Sequence, residues 1–287
     1  MNDKLIQTVS PKYAMAVMLP PKPYVPSQFT LSLKLWHALL LIAICLFFTG
    51  FGVAETDGQA ASPFTLLVKW MPLLLSGFIF NLVISFLAMA LGTVVGMMLG
   101  LGQLSLMPAV RPTSWFVTQF FRNAPWLVLL FFAMYLLPFK LDLGFVVVPL
   151  PDWFKAIVGL SLPVMANVSE IVRGAVRSLP SGQWEAAESL GYTRQQTMWL
   201  VILPQCVKRM LPPWMNLYSI LTMATVLASI VGVGEVMTLA GRALAAEGGR
   251  PDLLIPFYSF VLLLFYIYCY PIGRWTRYLE RKFLVVT

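Results

Sequence analysis

Long apolar runs recur along this chain, and they limit the folds that are open to it. The predicted spans cover residues 35–53, 73–101, 115–137, 153–173, 214–236 and 253–272. Each run approaches or exceeds the ~20 residues that a helix needs to cross the hydrocarbon core of a bilayer. A chain in lipid must satisfy its own backbone hydrogen bonds, and a helix does this within one segment. The sequence therefore predicts an all-α membrane protein with about six transmembrane helices.

The composition supports a membrane protein and argues against nucleic acid as a partner. Of 287 residues, 59% are hydrophobic and only 11% are charged, whereas soluble domains carry about 25% charge. The net charge of +8 comes from scattered basic residues, as is usual for the cytoplasmic loops of membrane proteins. The single histidine and the three cysteines show no metal-ligand spacing, so no metal site is expected.

The distribution of basic residues predicts the topology. Residues 1–34 form a basic tail rich in proline, and residues 276–287 form a second basic tail. Most Lys and Arg fall in these tails or in the predicted inner loops, which places both termini in the cytoplasm. Residues 35–53 could instead belong to a cleaved signal peptide, because the small residues at the end of this apolar run resemble a cleavage site. The preceding tail and the run itself are long for a signal peptide, which favours an uncleaved first span.

One charged stretch, residues 178–210, interrupts the apolar runs. It carries Glu185, Glu188 and Arg194, each of which would cost ~2.5–3.5 kcal/mol near the centre of a bilayer. This stretch should therefore lie in water as a structured loop between spans.

The loop is predicted to hold two short helices. Ser181 is expected to cap the first helix, and Gly191 to end it in the left-handed conformation that glycine adopts most easily. Thr193 and Gln196 have the spacing of a capping box for the second helix, which Pro204 is expected to stop.

Residues 185–204 read Glu-Ala-Ala, three residues, Gly, nine residues, then Val-Ile-Leu-Pro. This pattern resembles the EAA loop of ABC importer permeases, with Val in place of the usual Ile. The resemblance implies that the loop docks into separate ABC ATPase subunits. The residues carried over to this coupling role are Glu185, Ala186, Ala187, Leu190, Gly191, Leu203 and Pro204. No Gly-x-x-x-x-Gly-Lys-Ser/Thr motif occurs here, so ATP and Mg are expected on the ATPase, with no cofactor and no catalytic residue in this chain.

Three further segments resemble the polar amino acid family of these permeases. Residues 122–128 read Arg-Asn-Ala-Pro-Trp-Leu-Val, residues 169–174 read Ser-Glu-Ile-Val-Arg-Gly, and residues 179–183 lead into the loop with Leu-Pro-Ser-Gly-Gln. The resemblance covers residues 70–275 and implies a type I importer core of five helices, with the first span outside it. It also implies a subunit of an ATP-driven importer in the bacterial inner membrane, for polar amino acids delivered by a periplasmic binding protein.

The candidate translocation path follows from the same segments. Its residues are Arg122, Asn123, Pro125, Leu129, Glu170, Met223 and Thr225. The family usually has Gln where this chain has Leu129, and a Lys-containing polar segment where residues 223–227 read Met-Ala-Thr-Val-Leu. An apolar path replaces the hydration of a zwitterion poorly. The chain is therefore expected to form a heterodimer with a second permease, in preference to a homodimer, with membrane lipid around it.

Several charged residues near the predicted spans have two interpretations. Arg122 either faces a cavity or partner within the third span, or reaches the surface from a helix that begins later. Glu170 and Arg173 lie three residues apart on one helical face, as a structural pair or as part of the transport path. Glu235, at the outer end of the fifth span, is expected to be solvated.

Two other classes of function remain open. A stand-alone secondary transporter or channel for a small polar solute would need an ionisable relay near the membrane midplane, for which Arg122 is the clear candidate. An intramembrane enzyme would need a catalytic constellation, and the predicted spans contain no Ser/His pair or paired Asp.

Overall fold

The computed structural model describes residues 62–142 and 147–283, so the predicted tail 1–34 and the predicted span 35–53 lie outside the described residues. Four described helical segments are long and apolar enough to cross a membrane, and there are five spans if a bent pair of helices is counted as one. The prediction of an all-α membrane protein is confirmed, and the five described spans match the expected five-helix core.

The elements follow one another along the chain as helices with a single small hairpin. They are α1 (Pro63–Gln103), α2 (Val110–Asn123), α3 (Trp126–Leu136), β1 (Lys140–Asp142), β2 (Val147–Pro149), α4 (Asp152–Arg177), α5 (Gly182–Ser189), α6 (Arg194–Gln196), α7 (Leu203–Ala224), α8 (Val236–Ala246) and α9 (Leu254–Phe283). A π-helical turn, Thr197–Ile202, joins α6 to α7, and 3-10 turns at Thr225–Val231 and Pro251–Leu253 precede α8 and α9. The two strands pair antiparallel, with Leu141 opposite Val148.

Helices α1 and α4 approach each other closely along a row of glycines. A Cβ atom built on Gly96 would lie 2.6 Å from the backbone oxygen of Met165 and 2.7 Å from Val168 Cβ. Gly92 and Gly100 meet Val164 and Val172 at the same short range. Small residues at a spacing of four let helix backbones pack tightly in lipid, where apolar burial alone does not drive association. The row of glycines therefore explains the close approach of α1 and α4.

The predicted third span, residues 115–137, is not one straight helix. It divides into α2 and α3, whose axes differ by 107°. Pro125 is the residue before α3 and has extended backbone angles, φ −61° and ψ 132°. Proline lacks the N–H that a continuing helix needs and pushes the preceding residue out of helical angles, so the chain breaks at this point.

Several prolines that could end or interrupt a helix lie within helices instead. Pro204 was expected to stop a helix, but the helix continues past it, from α6 through the π-helical turn into α7, of which Pro204 is the second residue. Pro212 and Pro213 lie inside α7, which begins before the predicted start of the fifth span at residue 214. Pro256 does not interrupt the last span, because it also lies in the first turn of its helix, α9.

The prediction that Glu235 is solvated is wrong. Its side chain is fully buried. One carboxylate oxygen accepts a hydrogen bond from Asn81 Nδ2 at 2.9 Å. The other accepts from the backbone N–H of Thr238 at 3.0 Å and so caps the start of α8. Asn81 also donates to Thr225 Oγ1 at 2.9 Å. A buried carboxylate is tolerated because each oxygen has a donor, and the cluster ties α1 to the segment before α8.

We predict that Gly96→Ala destabilises the bundle, because the added methyl group meets backbone atoms that cannot move aside. The expected loss is about 1–3 kcal/mol, seen as a fall of several degrees in the melting temperature of the purified protein. Gly273→Ala is the matched control, since Gly273 is helical and a Cβ there meets nothing within 4 Å. Equal melting temperatures for both variants would contradict the close contact of α1 with α4.

Candidate functional site

The loop between α4 and α7 is folded, and its first helix ends at a glycine as predicted. Gly191 has a φ of 77°, in the left-handed region, and nothing lies within 4 Å of a Cβ built on it. Glycine is therefore required at this position by the positive φ angle of the backbone and not by close packing of neighbouring atoms. Ser181 precedes α5, but its side chain makes no capping hydrogen bond. The predicted cap is wrong because Ser181 already has helical angles, φ −58° and ψ −32°.

The second part of the loop begins at the predicted capping box. Thr193 Oγ1 accepts from the backbone N–H of Gln196 at 3.3 Å, and Gln196 Oε1 accepts from the backbone N–H of Thr193 at 2.9 Å. The prediction is confirmed, although the helix then passes through a π-helical turn into α7. Arg209, in the N-terminal half of α7, donates to the carbonyl oxygen of Ser178 at 2.7 Å. This hydrogen bond connects the N-terminal half of α7 to the start of the loop.

The seven residues assigned to coupling divide between two faces of the loop. Ala187 is 3% exposed, and Leu203 packs against the cluster at the base of the loop. Leu190 is 75% exposed, and Glu185 and Ala186 beside it are exposed as well. Gly191 lies exposed at the turn and Pro204 is exposed in the first turn of α7. The outer face of α5 therefore presents an apolar side chain beside an acidic one.

A second feature is a cavity of about 490 Å³ between α2, α4 and α7. Its polar lining consists of Arg122, Asn167, Glu170, Ser178, Arg209 and Asn216. Arg122 Nη1 lies 3.4 Å from Glu170 Oε2, and the Arg122 side chain is 46% exposed. The first interpretation of Arg122 therefore holds, because the break after α2 leaves it facing a cavity. The cavity offers a cation and an anion side by side.

Glu170 is the centre of a network at this cavity. Arg173 binds both of its carboxylate oxygens, through Nε at 3.2 Å and through Nη2. Gln103 Nε2 donates to Ser169 Oγ at 2.7 Å and lies 3.3 Å from Glu170 Oε1. The predicted pairing of Glu170 with Arg173 is confirmed. The Glu170 carboxylate is thus contacted by Arg173, Gln103 and Arg122.

The other residues of the predicted path lie in different places. Asn123 and Pro125 are exposed at the break beside Arg122. Leu129 is 4% exposed and Thr225 is fully buried within the bundle, so neither lines the cavity. Met223 is 51% exposed on the surface of α7. Of the seven predicted path residues, the structure thus places only Arg122 and Glu170 in the lining of the cavity.

Four polar residues of the cavity, Asn167, Ser178, Arg209 and Asn216, were not predicted from the sequence. Asn167 precedes Glu170 by three residues and so shares its helical face, a signal that was available. Asn216 and Arg209 reach the cavity from α7. The prediction that the fifth span begins at residue 214 placed Arg209 in a loop, and it gave no reason to consider Asn216.

The sequence is similar to those of known membrane transport proteins. The chain is 33% identical to the inner membrane amino-acid ABC transporter permease protein YhdY of Escherichia coli K12, over 72% of this chain and 55% of YhdY. It is also 33% identical to the probable amino-acid ABC transporter permease protein YckA of Bacillus subtilis 168, over 76% of this chain and 92% of YckA. The chain thus spans about half the length of YhdY but nearly all of YckA.

The fold is shared with solved transporters. A crystal structure of an amino acid ABC transporter with histidines superposes with a TM-score of 0.66 at 24% identity, covering 78% of this chain and 100% of that one. An inward-facing structure of the MetNI methionine ABC transporter gives a TM-score of 0.52 at 18% identity, over 77% of this chain and 99% of that one. A family model described as the binding-protein-dependent transport system inner membrane component matches residues 92–285. The chain belongs to this family of multi-pass inner membrane transport components.

Proposed function

We propose that this chain is the membrane-spanning permease subunit of an ATP-driven importer for polar amino acids. The observation that carries the proposal is the rigid loop at one end of the bundle, with Leu190 on its outer face and Ala187 on its inner face. Permease relatives that are named for amino acids support the substrate class. On this proposal the chain forms part of the translocation path, and a partner subunit hydrolyses ATP.

The loop is proposed to transmit motion from the ATPase. Glu185, Ala186 and Leu190 would dock into a cleft on the ATPase, while Ala187 and Leu203 hold the loop to the bundle. Arg209 fixes the same loop to α7, and α7 also lines the cavity. A push on α5 would therefore reach the cavity through packed helices, which have few ways to deform except as rigid bodies.

The cavity is proposed to lie on the translocation path. An amino acid carries a carboxylate and an ammonium group, and the cavity presents Arg122 and Glu170 within 3.4 Å of each other. The carboxylate would pair with Arg122 and the ammonium group with Glu170, which replaces part of the lost hydration. Asn167 and Asn216 would supply further hydrogen bonds.

The assembly is proposed to contain several partners. ABC ATPase subunits would hold ATP and Mg, and a periplasmic binding protein would deliver the substrate to the opposite side. Both termini would lie in the cytoplasm with the loop, because Arg177, Lys208 and Arg277 follow the basic pattern of cytoplasmic ends. Membrane lipid would surround the remaining apolar surface.

A second, different permease is proposed in preference to a second copy of this chain. The support is Met223, which is apolar and 51% exposed where the family usually carries lysine. Leu129 adds less support, since it is 4% exposed inside this chain. A partner permease would then supply polar groups across the path that this chain lacks.

The proposed function is tested by transport in proteoliposomes. The full chain is reconstituted with its ATPase, its binding protein and the second permease, and uptake of radiolabelled polar amino acids is measured. We expect uptake that requires ATP, the binding protein and both permeases. Uptake that continues without ATP would favour a secondary transporter or channel. Full uptake without the second permease would refute the heterodimer.

The coupling role is tested by two changes in the loop. Gly191→Val forces a branched side chain into left-handed angles at about 1–2 kcal/mol, and Glu185→Lys reverses a charge on the docking face. Each should lower the amount of substrate imported per ATP hydrolysed by roughly tenfold. Gly191→Asn is the matched control, because asparagine tolerates these angles. Normal uptake per ATP in both test variants, with the subunits still assembled, would show that the loop does not couple.

A further inference from the structure

A second cavity, separate from the one proposed for transport, lies at the same end of the bundle as the loop. Its volume is about 360 Å³, and it is lined by Gln103, Arg111, Pro112, Trp115, Arg173 and Arg177. These residues come from the end of α1, the start of α2 and the end of α4. Three of the six lining residues are arginines, and none is acidic.

Two of these arginines are not paired with an acidic side chain in the part of the chain that the structure describes. Among residues 62–142 and 147–283, Arg111 and Arg177 make no ion pair, and both are exposed. Arg173 instead shares its charge with Glu170. Like charges that face one cavity repel each other unless an anion lies between them, so this site favours a negatively charged ligand.

The wall of the cavity is fixed in advance of binding. Gln103 is 3% exposed. Its Nε2 donates to Thr118 Oγ1 of α2 at 3.1 Å and to Ser169 Oγ of α4 at 2.7 Å. These bonds hold the three helix ends at a constant separation. A ligand therefore does not have to order the helices, and its binding is stronger for that reason.

Aromatic residues beside the arginines indicate the nature of the ligand. Trp115 is 54% exposed at the edge of the cavity. Phe116 and Phe120, further along α2, are 65% and 58% exposed and stack on each other. Tryptophan is enriched at the boundary between lipid headgroups and acyl chains. A free phosphate would use the arginines alone, whereas a phospholipid would use the apolar rings as well.

We propose that this cavity binds the headgroup of an anionic phospholipid. The phosphate lies between Arg111 and Arg177, Trp115 lies against the glycerol region, and the acyl chains run along Phe116 and Phe120. Basic pockets between transmembrane helices on the cytoplasmic side are suited to such headgroups. The site is next to the Glu170–Arg173 pair but does not use the transport cavity.

The test measures lipid binding to the intact transporter complex by native mass spectrometry. Phosphatidylglycerol or phosphatidylcholine is titrated into the delipidated complex in detergent, and the Kd of the first bound lipid is determined. In the wild-type complex phosphatidylglycerol should bind at least about tenfold more tightly than phosphatidylcholine. Equal affinity for the two lipids would overturn the proposal, whatever the variants show.

The variants localise the site. Arg111→Gln with Arg177→Gln should weaken phosphatidylglycerol binding about thirtyfold, as expected for two charges at the membrane surface. Arg277→Gln with Arg281→Gln removes the same charge elsewhere, from exposed positions on α9, and should change the Kd less than about threefold. Arg111→Lys with Arg177→Lys keeps both charges and should retain most of the affinity.

The outcomes that overturn the site are distinct. Tight phosphatidylglycerol binding by the glutamine pair, or an equal loss in the α9 pair, places the lipid elsewhere. An equal loss in the lysine pair shows that charge is not the cause. Inorganic phosphate that displaces the lipid at a similar concentration would show that the site recognises a soluble anion instead. The same spectra report whether each variant complex is assembled.

Discussion

The close contact between α1 and α4 is the interaction on which the rest of the structure depends. Gly96 and its two neighbouring glycines let the helices meet at backbone distance, with valines of α4 filling the row. Since α4 is held against the longest helix of the bundle, its position is fixed along most of its length. Glu170 lies near one end of α4, and the loop follows directly after its last residue, Arg177. Both candidate sites therefore depend on this one packed pair.

Two glutamates inside the bundle are each paired with hydrogen-bond donors. Glu235 is held by Asn81 and by the start of α8, and Glu170 is held by Arg173 and Gln103. The first of these clusters is closed and connects helices. The second opens onto a cavity through Arg122. The structural cluster and the candidate transport site therefore differ in whether their polar groups reach a cavity, more than in the charge that they carry.

The sequence predicts the number and the main positions of the described spans, because apolar length is a local property. It also predicts the loop, since Gly191, Thr193 and Gln196 act on their own neighbours in the chain. It fails where the outcome depends on contacts between distant segments. Glu235 looks solvated until Asn81, far away in the sequence, is placed beside it. Pro204 looks like a helix terminator, because nothing local shows that a π-helical turn carries the helix past it into α7.

The residues of the candidate sites also differ in how far the sequence alone predicts their positions. The coupling residues lie together because they are consecutive, and burial separates the inner from the outer ones only in three dimensions. Arg122 and Glu170 belong to different helices, and their 3.4 Å approach depends on the break before α3. Leu129 and Thr225 carry family positions of the path but are buried within this chain. Resemblance to a family therefore predicts which segment belongs to a site more reliably than it predicts which way a side chain points.

The central claim is that the outer face of the loop touches an ATPase. The most direct measurement places a single cysteine in the loop of a cysteine-free chain and crosslinks it in native membranes. Leu190→Cys, at a position that is 75% exposed, should capture an ATPase subunit, whereas Ala187→Cys, at a position that is 3% exposed, should not. Labelling of position 190 from the periplasmic side, or capture of no ATPase from it, would contradict the account.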